Sequence, residues 1–394
     1  MTRGMELKRV VCLARHGARS SLYNLPELGP ANWNQSGLYK IPRDVSKVNV
    51  KLAGVNGGPV TAGFDPDGEH ACGGPAGWLT SIGYLGNVGI GEFLAKMYGR
   101  REAEDLYVRS TNVKRTVESA RAIVGGLTNQ PSEVKIEVQG KLDEEFLTYM
   151  HSCSGSLQNY RWMWLASPLH DQIRPMWSEA VRELGLQKRT DGRPQHQLLP
   201  LALYDDLAAR FAHGIPVVNA AAFRKYYPLI EHLSLVTCLG VNGTSVEEKA
   251  HALPIKAGRI LEYIVNELEA PISILSAHDT TLIPVMEALL FRMAPHEKSE
   301  IFYFPPFSAH IVFEFHVDET KDKFIRIRYN EKPISFKGRE YVPLEDFLET
   351  TEWLRMSQKE FLTWKDHPIP EHEPRYSHDE IADFHANPEN YLDI

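Results

Sequence analysis

The chain has 394 residues, 43% of them hydrophobic, which is enough apolar material for one large α/β domain with an insertion or for two domains. A formal net charge of −8 argues against a surface for nucleic acid or anionic membrane, so any anion site must be a local exception. Four widely spaced cysteines, Cys12, Cys72, Cys153 and Cys238, form no C-x-x-C pair and point to reduced thiols rather than a disulfide or zinc scaffold.

Met1 to Arg9 runs directly into the first apolar run, leaving no room for the hydrophobic region of a signal peptide. No later stretch approaches the roughly 20 apolar residues of a membrane span. The expectation is a cytoplasmic protein.

Val10 to Ala14 reads as a buried strand, and it ends in Arg15-His16-Gly17-Ala18-Arg19. That pentapeptide sets an imidazole able to attack phosphorus between two guanidiniums able to fork onto phosphoryl oxygens. Taken alone it reads equally well as a basic turn with a solvated histidine. From Ser20 to Gly77 the chain is rich in Gly, Pro, Asn and Asp, and predicts a long irregular loop walling a pocket beside His16. Within it, Asp65-Pro66-Asp67-Gly68 and Glu69-His70-Ala71-Cys72 follow no apolar strand and read as turns, not as an aspartyl nucleophile or metal ligands.

A helix opening near Thr80 is predicted to bury Trp78, Ile82, Leu85, Gly89, Phe93 and Met97. Its glycines at 83, 86, 89 and 91 each cost about 1 kcal/mol relative to alanine, which close helix packing would offset. Leu106-Tyr107-Val108 predicts a second strand, ending in Arg109-Ser110-Thr111. Thr111 is placed to cap a helix whose apolar face is Val113, Val117, Ala120, Val124 and Leu127. Arg115, one turn on, is within reach of the crevice but is assigned a structural salt bridge.

Residues 143–252 show helical patterns, little strand signal, and Trp162, Trp164 and Trp177, which read as the core of a helical cap rather than a ligand cage. His151, His170, His213, His232 and His251 have no ligand-like spacing. A third strand, Ile272 to Leu275, ends in Ser276-Ala277-His278-Asp279, and Thr280 opens a further helix. Ser308 to Val317 and Phe324 to Tyr329 predict an antiparallel extension, Leu344 to Leu348 a closing helix, and the proline-rich tail beyond Asp366 an extended wrap. The fold class is therefore α/β: a mostly parallel central sheet flanked by helices, with residues 1–140 and 255–394 as core and 141–254 as a smaller α-helical cap.

Three strand ends carry Arg15, His16 and Arg19, then Arg109, then His278 and Asp279, which places all six at the carboxyl edge where open parallel sheets bind ligands. Three arginines suit a phosphate dianion. His16 is the candidate nucleophile, and Asp279 the donor to the leaving alkoxide and then the acceptor from water; His278 adds positive charge when protonated. An acidic optimum follows. No cysteine stands at C-x5-R spacing, no G-x4-G-K-[ST] occurs and no dense Asp/His cluster suggests paired metals, so the chemistry calls for no metal and no cofactor.

These residues resemble the histidine acid phosphatases over most of the chain. Arg15 to Arg19 is similar to the R-H-G-x-R signature, Arg109 to the arginine of the second strand, His278-Asp279 to the distal H-D pair, and Gly77 to Gly83 to G-x-L-T-x-x-G. Val108 to Ala120, Pro305-Pro306-Phe307 and Pro343-Leu344 resemble the lysophosphatidic acid phosphatase branch. The resemblance implies an α/β core with a helical cap, His16 as nucleophile, Arg15, Arg19, Arg109 and His278 on phosphate, Asp279 as proton donor, and a small phosphomonoester as partner. Ser21 replaces the proline of many members, which turns the reading away from a phytase-like specificity; a phosphoglycerate-mutase-like transferase is disfavoured by Ala18-Arg19, and a non-enzymatic phosphate-binding module ranks last.

Overall fold

Val10 to Ala14 is apolar at every position because the strand it belongs to is covered on both faces. In the computed structural model, residues 4–23, 25–58, 60, 73–129, 131–140, 144, 147, 176–177, 179–186, 199–240, 246–292 and 303–364 are described. Strand β1 (Glu6–Arg15) lies at the centre of a nine-stranded sheet. The other strands are β2 (Val48–Gly54), β3 (Leu106–Ser110), β4 (Ser132–Val138), β5 (Ile272–Ala277), β6 (His310–Val317), β7 (Lys323–Tyr329), β8 (Lys332–Ile334) and β9 (Val342–Pro343). Their order is β2-β4-β3-β5-β1-β6-β7-β8, with β9 on β7. Strands β2, β4, β3, β5 and β1 run parallel, and β6 onward adds the antiparallel extension expected from its alternation.

The two faces sort by strand periodicity. Val10, Cys12 and Ala14 face one layer with Val108, Ile272 and Ile274; Val11 and Leu13 face the other with Leu275 and Ala277. Helices α1 (Arg43–Ser46), α2 (Ser81–Tyr98) and α3 (Lys114–Leu127) lie in chain order before the insertion, and α2 and α3 cover the first face through Ile90, Leu94, Ile123 and Leu127. Between β4 and β5 come α4 (Leu199–His213), α5 (Ala220–Gly240), α6 (Val246–Leu253) and the single turn α7 (Arg259–Glu262), the last two joined through π-helical turns. The 253–268 stretch covers the second face together with α8 (Asp279–Arg292) and α9 (Leu344–Thr351), and α10 (Gln358–Trp364) follows.

Helices α4 and α5 build a separate apolar cluster from Leu203, Leu207, Phe223, Ile230 and Trp177, tied to the main body by Ile283 and Phe304. Trp177 is thus a core residue, as expected; Trp162 and Trp164 lie outside the described residues, as do Asp65 to Cys72, His151, His170 and the tail beyond Trp364. His213 is satisfied locally, its Nδ1 on the Ala209 carbonyl and its Nε2 on Thr80 Oγ1.

Three expectations need correction. The 20–77 segment is not wholly irregular, since β2 pairs in register with β4; as an edge strand it keeps Leu52 41% exposed, so burial gave it little apolar signature. Thr111 does not cap α3, whose first-turn neighbour Val113 carries no side-chain cap. The face of α2 is also rotated: Ile82, Leu85 and Met97 are exposed, while Gly83, Tyr84, Asn87, Val88, Ile90, Gly91 and Leu94 are buried.

The glycines explain the rotation, because the helix packs by its backbone rather than by its largest side chains. A Cβ at Gly91 would meet the Ile123 carbonyl oxygen at 2.1 Å, and one at Gly126 would meet the Val88 oxygen at 2.2 Å. Neither contact can be relieved by a rotamer change. Gly91→Ala should therefore lower stability by about 1–3 kcal/mol or more, whereas exposed Gly89, with nothing within 4 Å of its would-be Cβ, should tolerate alanine and gain up to about 1 kcal/mol. Urea unfolding midpoints of the two variants check this pair.

Candidate active site

Strands β3, β5 and β1 are neighbours, so their carboxyl ends open on one place. The turn after β1 is held from several sides. His16 N–H donates to the Ala277 carbonyl at the end of β5 (3.0 Å), and Ser308 N–H donates to the His16 carbonyl (3.1 Å). Gly17 N–H donates to Ser119 Oγ on α3 (3.1 Å). A Cβ on Gly17 would lie 2.2 Å from the Gly83 carbonyl oxygen, and one on Gly83 would lie 2.0 Å from the Ala18 oxygen. The two glycines thus let the turn sit directly on the first turn of α2. Thr80, the N-cap of α2, completes this clamp: its N–H donates to the Ala18 carbonyl (3.0 Å) and its Oγ1 accepts the Gly83 N–H (3.3 Å).

The side chains that this turn presents are almost fully buried: Arg15 and Arg19 are each 3% exposed and His16 is 1% exposed. His16 Nδ1 lies 2.9 Å from the Gly17 carbonyl oxygen. A carbonyl can only accept, so Nδ1 carries the proton and Nε2 carries the lone pair. Burial, followed by the charges of Arg115, Arg19 and Arg15 and the neighbouring His278, holds the His16 pKa well below its ordinary value. The ring therefore stays neutral, and nucleophilic, into mildly acidic solution.

Arg15 pairs with Asp279 Oδ2 at 2.6 Å, donates to the Pro305 carbonyl, and stacks its guanidinium 4.6 Å from the Phe307 ring centroid. Asp279 begins α8, and its Oδ1 accepts the Thr280 N–H. His278 ends β5's turn with its ring 5.5 Å from that of His16, edge to face. Five of the six expected residues, Arg15, His16, Arg19, His278 and Asp279, are thereby brought together.

Arg109 is the exception. It lies inside β3 rather than beyond it, and strand alternation sends it with Tyr107 to the face carrying Tyr263. There its guanidinium donates to Gln139 Oε1 (2.9 Å) and to Glu144 Oε1 (3.0 Å). Burial works against its charge, but Glu144 and the two tyrosines outweigh that and raise its pKa.

Arg115 takes the place expected of Arg109, which also overturns its assignment to a structural salt bridge. It sits in the first turn of α3, 3.5 Å from His278 Nδ1, and it is the strongest charge acting on His16. Burial first, then Arg19 and Arg15, push its pKa down to about 9 against the opposing pull of Asp279 and Asp205. An arginine does not lose its proton near neutrality, so the shift reflects first the burial of a charge and then its crowding by other arginines.

Asp205 is a residue that sequence reading missed. From α4 it pairs with Arg19 (2.6 Å) and accepts the Leu22 N–H (2.7 Å), while the adjacent Asp206 accepts the Leu25 N–H and holds buried Arg210. The available signal was the doublet Asp205-Asp206 in an otherwise apolar helical stretch, since paired buried carboxylates must have partners. Among the described residues, no three His, Cys, Asp or Glu side chains are grouped to hold a metal ion.

Comparison with known proteins agrees with this geometry. Lysophosphatidic acid phosphatase type 6 of Mus musculus is 26% identical over 392 residues, covering 91% of this chain and 88% of the relative. 2-phosphoxylose phosphatase 1 of Xenopus tropicalis is 24% identical, covering 66% of this chain and 54% of that protein. The phytase of Hafnia alvei, solved in complex with tartrate, superposes with a TM-score of 0.62 at 14% identity, over 90% of this chain and 98% of its own, a likeness of fold. The model of the histidine phosphatase superfamily, branch 2, matches residues 6–159 and 201–330, more than half of the sequence, and the chain belongs to that family.

Proposed function

We propose that the site hydrolyses phosphate monoesters through a phosphohistidine at His16 Nε2. The observation that carries this reading is a neutral imidazole, its lone pair on Nε2, among the guanidiniums of Arg15, Arg19 and Arg115. Three guanidiniums bind the phosphate dianion, with His278 beside them. Each of the two flanking arginines already holds a carboxylate, Asp279 on Arg15 and Asp205 on Arg19, which the phosphate oxygens replace or share.

In the first step, Nε2 forms a bond to phosphorus as the P–O bond to the leaving group breaks. The electron pair stays on the leaving oxygen, which takes a proton from the Asp279 carboxyl. The arriving dianion engages Arg15, the arginine that this carboxyl pairs with. In the second step, water attacks phosphorus, passes a proton to Asp279, and the P–N bond breaks to regenerate neutral His16. The chemistry uses only side chains of this chain. An acidic optimum follows, since the donor must be protonated while His16 remains neutral.

Arg115, not Arg109, is assigned to phosphate on this reading, and Arg109 to the support of β3 and β4. The finer reading is a lipid-like monoester such as lysophosphatidate, supported by the 26% identical relative of that name and by the aromatic pair Phe304 and Phe307 beside Arg15. A cytoplasmic location belongs to the same proposal; among the described residues, Cys12 and Cys238 are both buried and form no disulfide. No described helix is long and apolar enough to cross a membrane.

Three measurements test this reading. His16→Ala should lose turnover of a chromogenic phosphomonoester by at least about a thousandfold, and acid-quenched labelling should find phosphate on wild type only; wild-type-like turnover by the variant would overturn the mechanism. Arg115→Met should weaken inhibition by inorganic phosphate by roughly tenfold or more, with its melting temperature little changed. Arg109→Met should do the reverse, because removing one partner of a buried ion pair costs about 3–5 kcal/mol. Finally, kcat/KM compared across lysophosphatidate, sugar phosphates, nucleotides, phosphotyrosine and phytate should be highest for lysophosphatidate; a preference for phytate would replace the lipid reading with the inositol phosphate one.

A further inference from the structure

Behind His278 lies a chain of hydroxyls that has no part in the mechanism above. His278 Nε2 is 3.0 Å from Thr111 Oγ1, and Thr111 Oγ1 is 2.7 Å from Thr116 Oγ1. Thr116 in turn donates to the carbonyl of Val113 (2.7 Å) or of Thr111 (3.0 Å), both in the turn that opens α3. Thr111 and Thr116 are 1% and 0% exposed, so the chain runs out of contact with bulk water.

Its protons can be placed by elimination. A hydroxyl has one proton to give. The carbonyls at the far end can only accept, so they claim the proton of Thr116. Thr116 Oγ1 is then the acceptor for Thr111, whose own proton is thereby committed. Thr111 Oγ1 must accept from His278, and Nε2 must carry the hydrogen. The opposite side of the ring leads to the same answer independently: Arg115 Nη2, which can only donate, faces Nδ1 at 3.5 Å.

We propose that Thr111, held by Thr116, is a positioning residue that fixes neutral His278 as its Nε2–H tautomer and keeps the Nδ1 lone pair turned toward Arg115 and the reacting phosphate. The proposal rests on the phosphatase reading of the site. When His278 takes up a proton, the new N–H then forms at Nδ1, beside the Arg115 that binds phosphate, and not at the nitrogen buried against α3. Among the described residues, the groups around the ring include Arg115 from α3 at Nδ1, Thr111 from the end of β3 at Nε2, and His16 from the end of β1, with Arg15 and Asp279 in the same charge cluster. An N–H at Nδ1 faces the side on which Arg115 binds phosphate on the proposed reading, so a phosphate oxygen held there is its acceptor.

The tautomer is read directly by nitrogen-15 NMR of the full chain labelled at histidine, with the His278 signal assigned by its loss in His278→Gln. The wild type, without phosphate, should show hydrogen on Nε2. Thr116→Val removes the acceptor of Thr111, whose hydroxyl then turns to donate to Nε2, and His278 should move toward the Nδ1–H form although residue 116 does not touch it. Thr111→Val should lose the preference, Thr111→Ser should keep it, and kcat/KM should fall by about tenfold or more in the two valine variants and recover in the serine one. A wild type with hydrogen on Nδ1, or a tautomer unmoved in both valine variants, overturns the proposal; a tautomer that moves without any change in kcat/KM overturns its role in turnover. Should Thr116→Val fail to fold, the Thr111 pair decides alone. Because the tautomer is measured without substrate, this outcome stands apart from the test of His16 as nucleophile.

Discussion

Everything in this site follows from confining like charges around one neutral ring. Arg15, Arg19 and Arg115 surround His16 in a volume that admits little solvent, and each of them makes protonation of the ring more costly. In water such a cluster would be screened within about 10 Å; here the low polarisability of the surroundings keeps the repulsion. The result, with burial of the ring as the larger cause, is an imidazole held neutral next to cations with a strong need for an anion. On the proposed mechanism, burial and repulsion together prepare the nucleophile, and the same cations recruit the substrate.

Such a cluster persists only if the backbone cannot relax away from it, and the turn after β1 is pinned accordingly. Gly17 and Gly83 allow carbonyl groups and chain to approach at distances that forbid a side chain, and Thr80 closes the contact through Ala18. The signature glycine between His16 and Ala18 is therefore a packing requirement against α2. It is met because α2 carries a glycine one turn from its own start. The helix pays for this by leaving Ile82 and Leu85 in solvent.

Some features were legible in the sequence and others were not, for physical reasons. Continuous apolar runs read correctly as β1, β3 and β5 because strands buried on both faces need no alternation, and the charged residues that end them mark the crevice. Val134, Ile136 and Val138 alternate clearly in β4, and that signal went unread. The face of α2 was misjudged because hydrophobic periodicity assumes that large side chains do the packing, and here glycines do it. Arg109 and Arg115 were exchanged for a related reason. Proximity to a strand end favours Arg109, yet alternation within β3 carries it to the Glu144 side, while one helical turn returns Arg115 to the crevice. Asp205, more than 180 residues from Arg19, has no local pattern that links it to the site, since only the packing of α4 on the 19–25 segment makes the pair.

The distribution of carboxylates then separates the arginines by function. Arg109 has an anion, Glu144, buried with it at 2% exposure, so that pair is shut away from solvent and breaking it would be costly. Arg15 and Arg19 have anions that keep a measure of solvent contact, Asp279 at 18% and Asp205 at 11%. Those carboxylates keep contact with water that can hydrate them when phosphate oxygens arrive, so the exchange leaves no fully buried ion uncompensated. Arg115 faces His278 and the two other arginines, and burial first, then Arg19 and Arg15, hold its pKa down against the pull of the two carboxylates. On the proposed reading, phosphate binding has a place already set by charge: on the side of Arg115, between two arginines whose partners can yield. Asp205 lies on α4 and holds both Arg19 and the Leu22 N–H, so on that same reading a substrate that draws Arg19 away also alters the contact between α4 and the turn after β1.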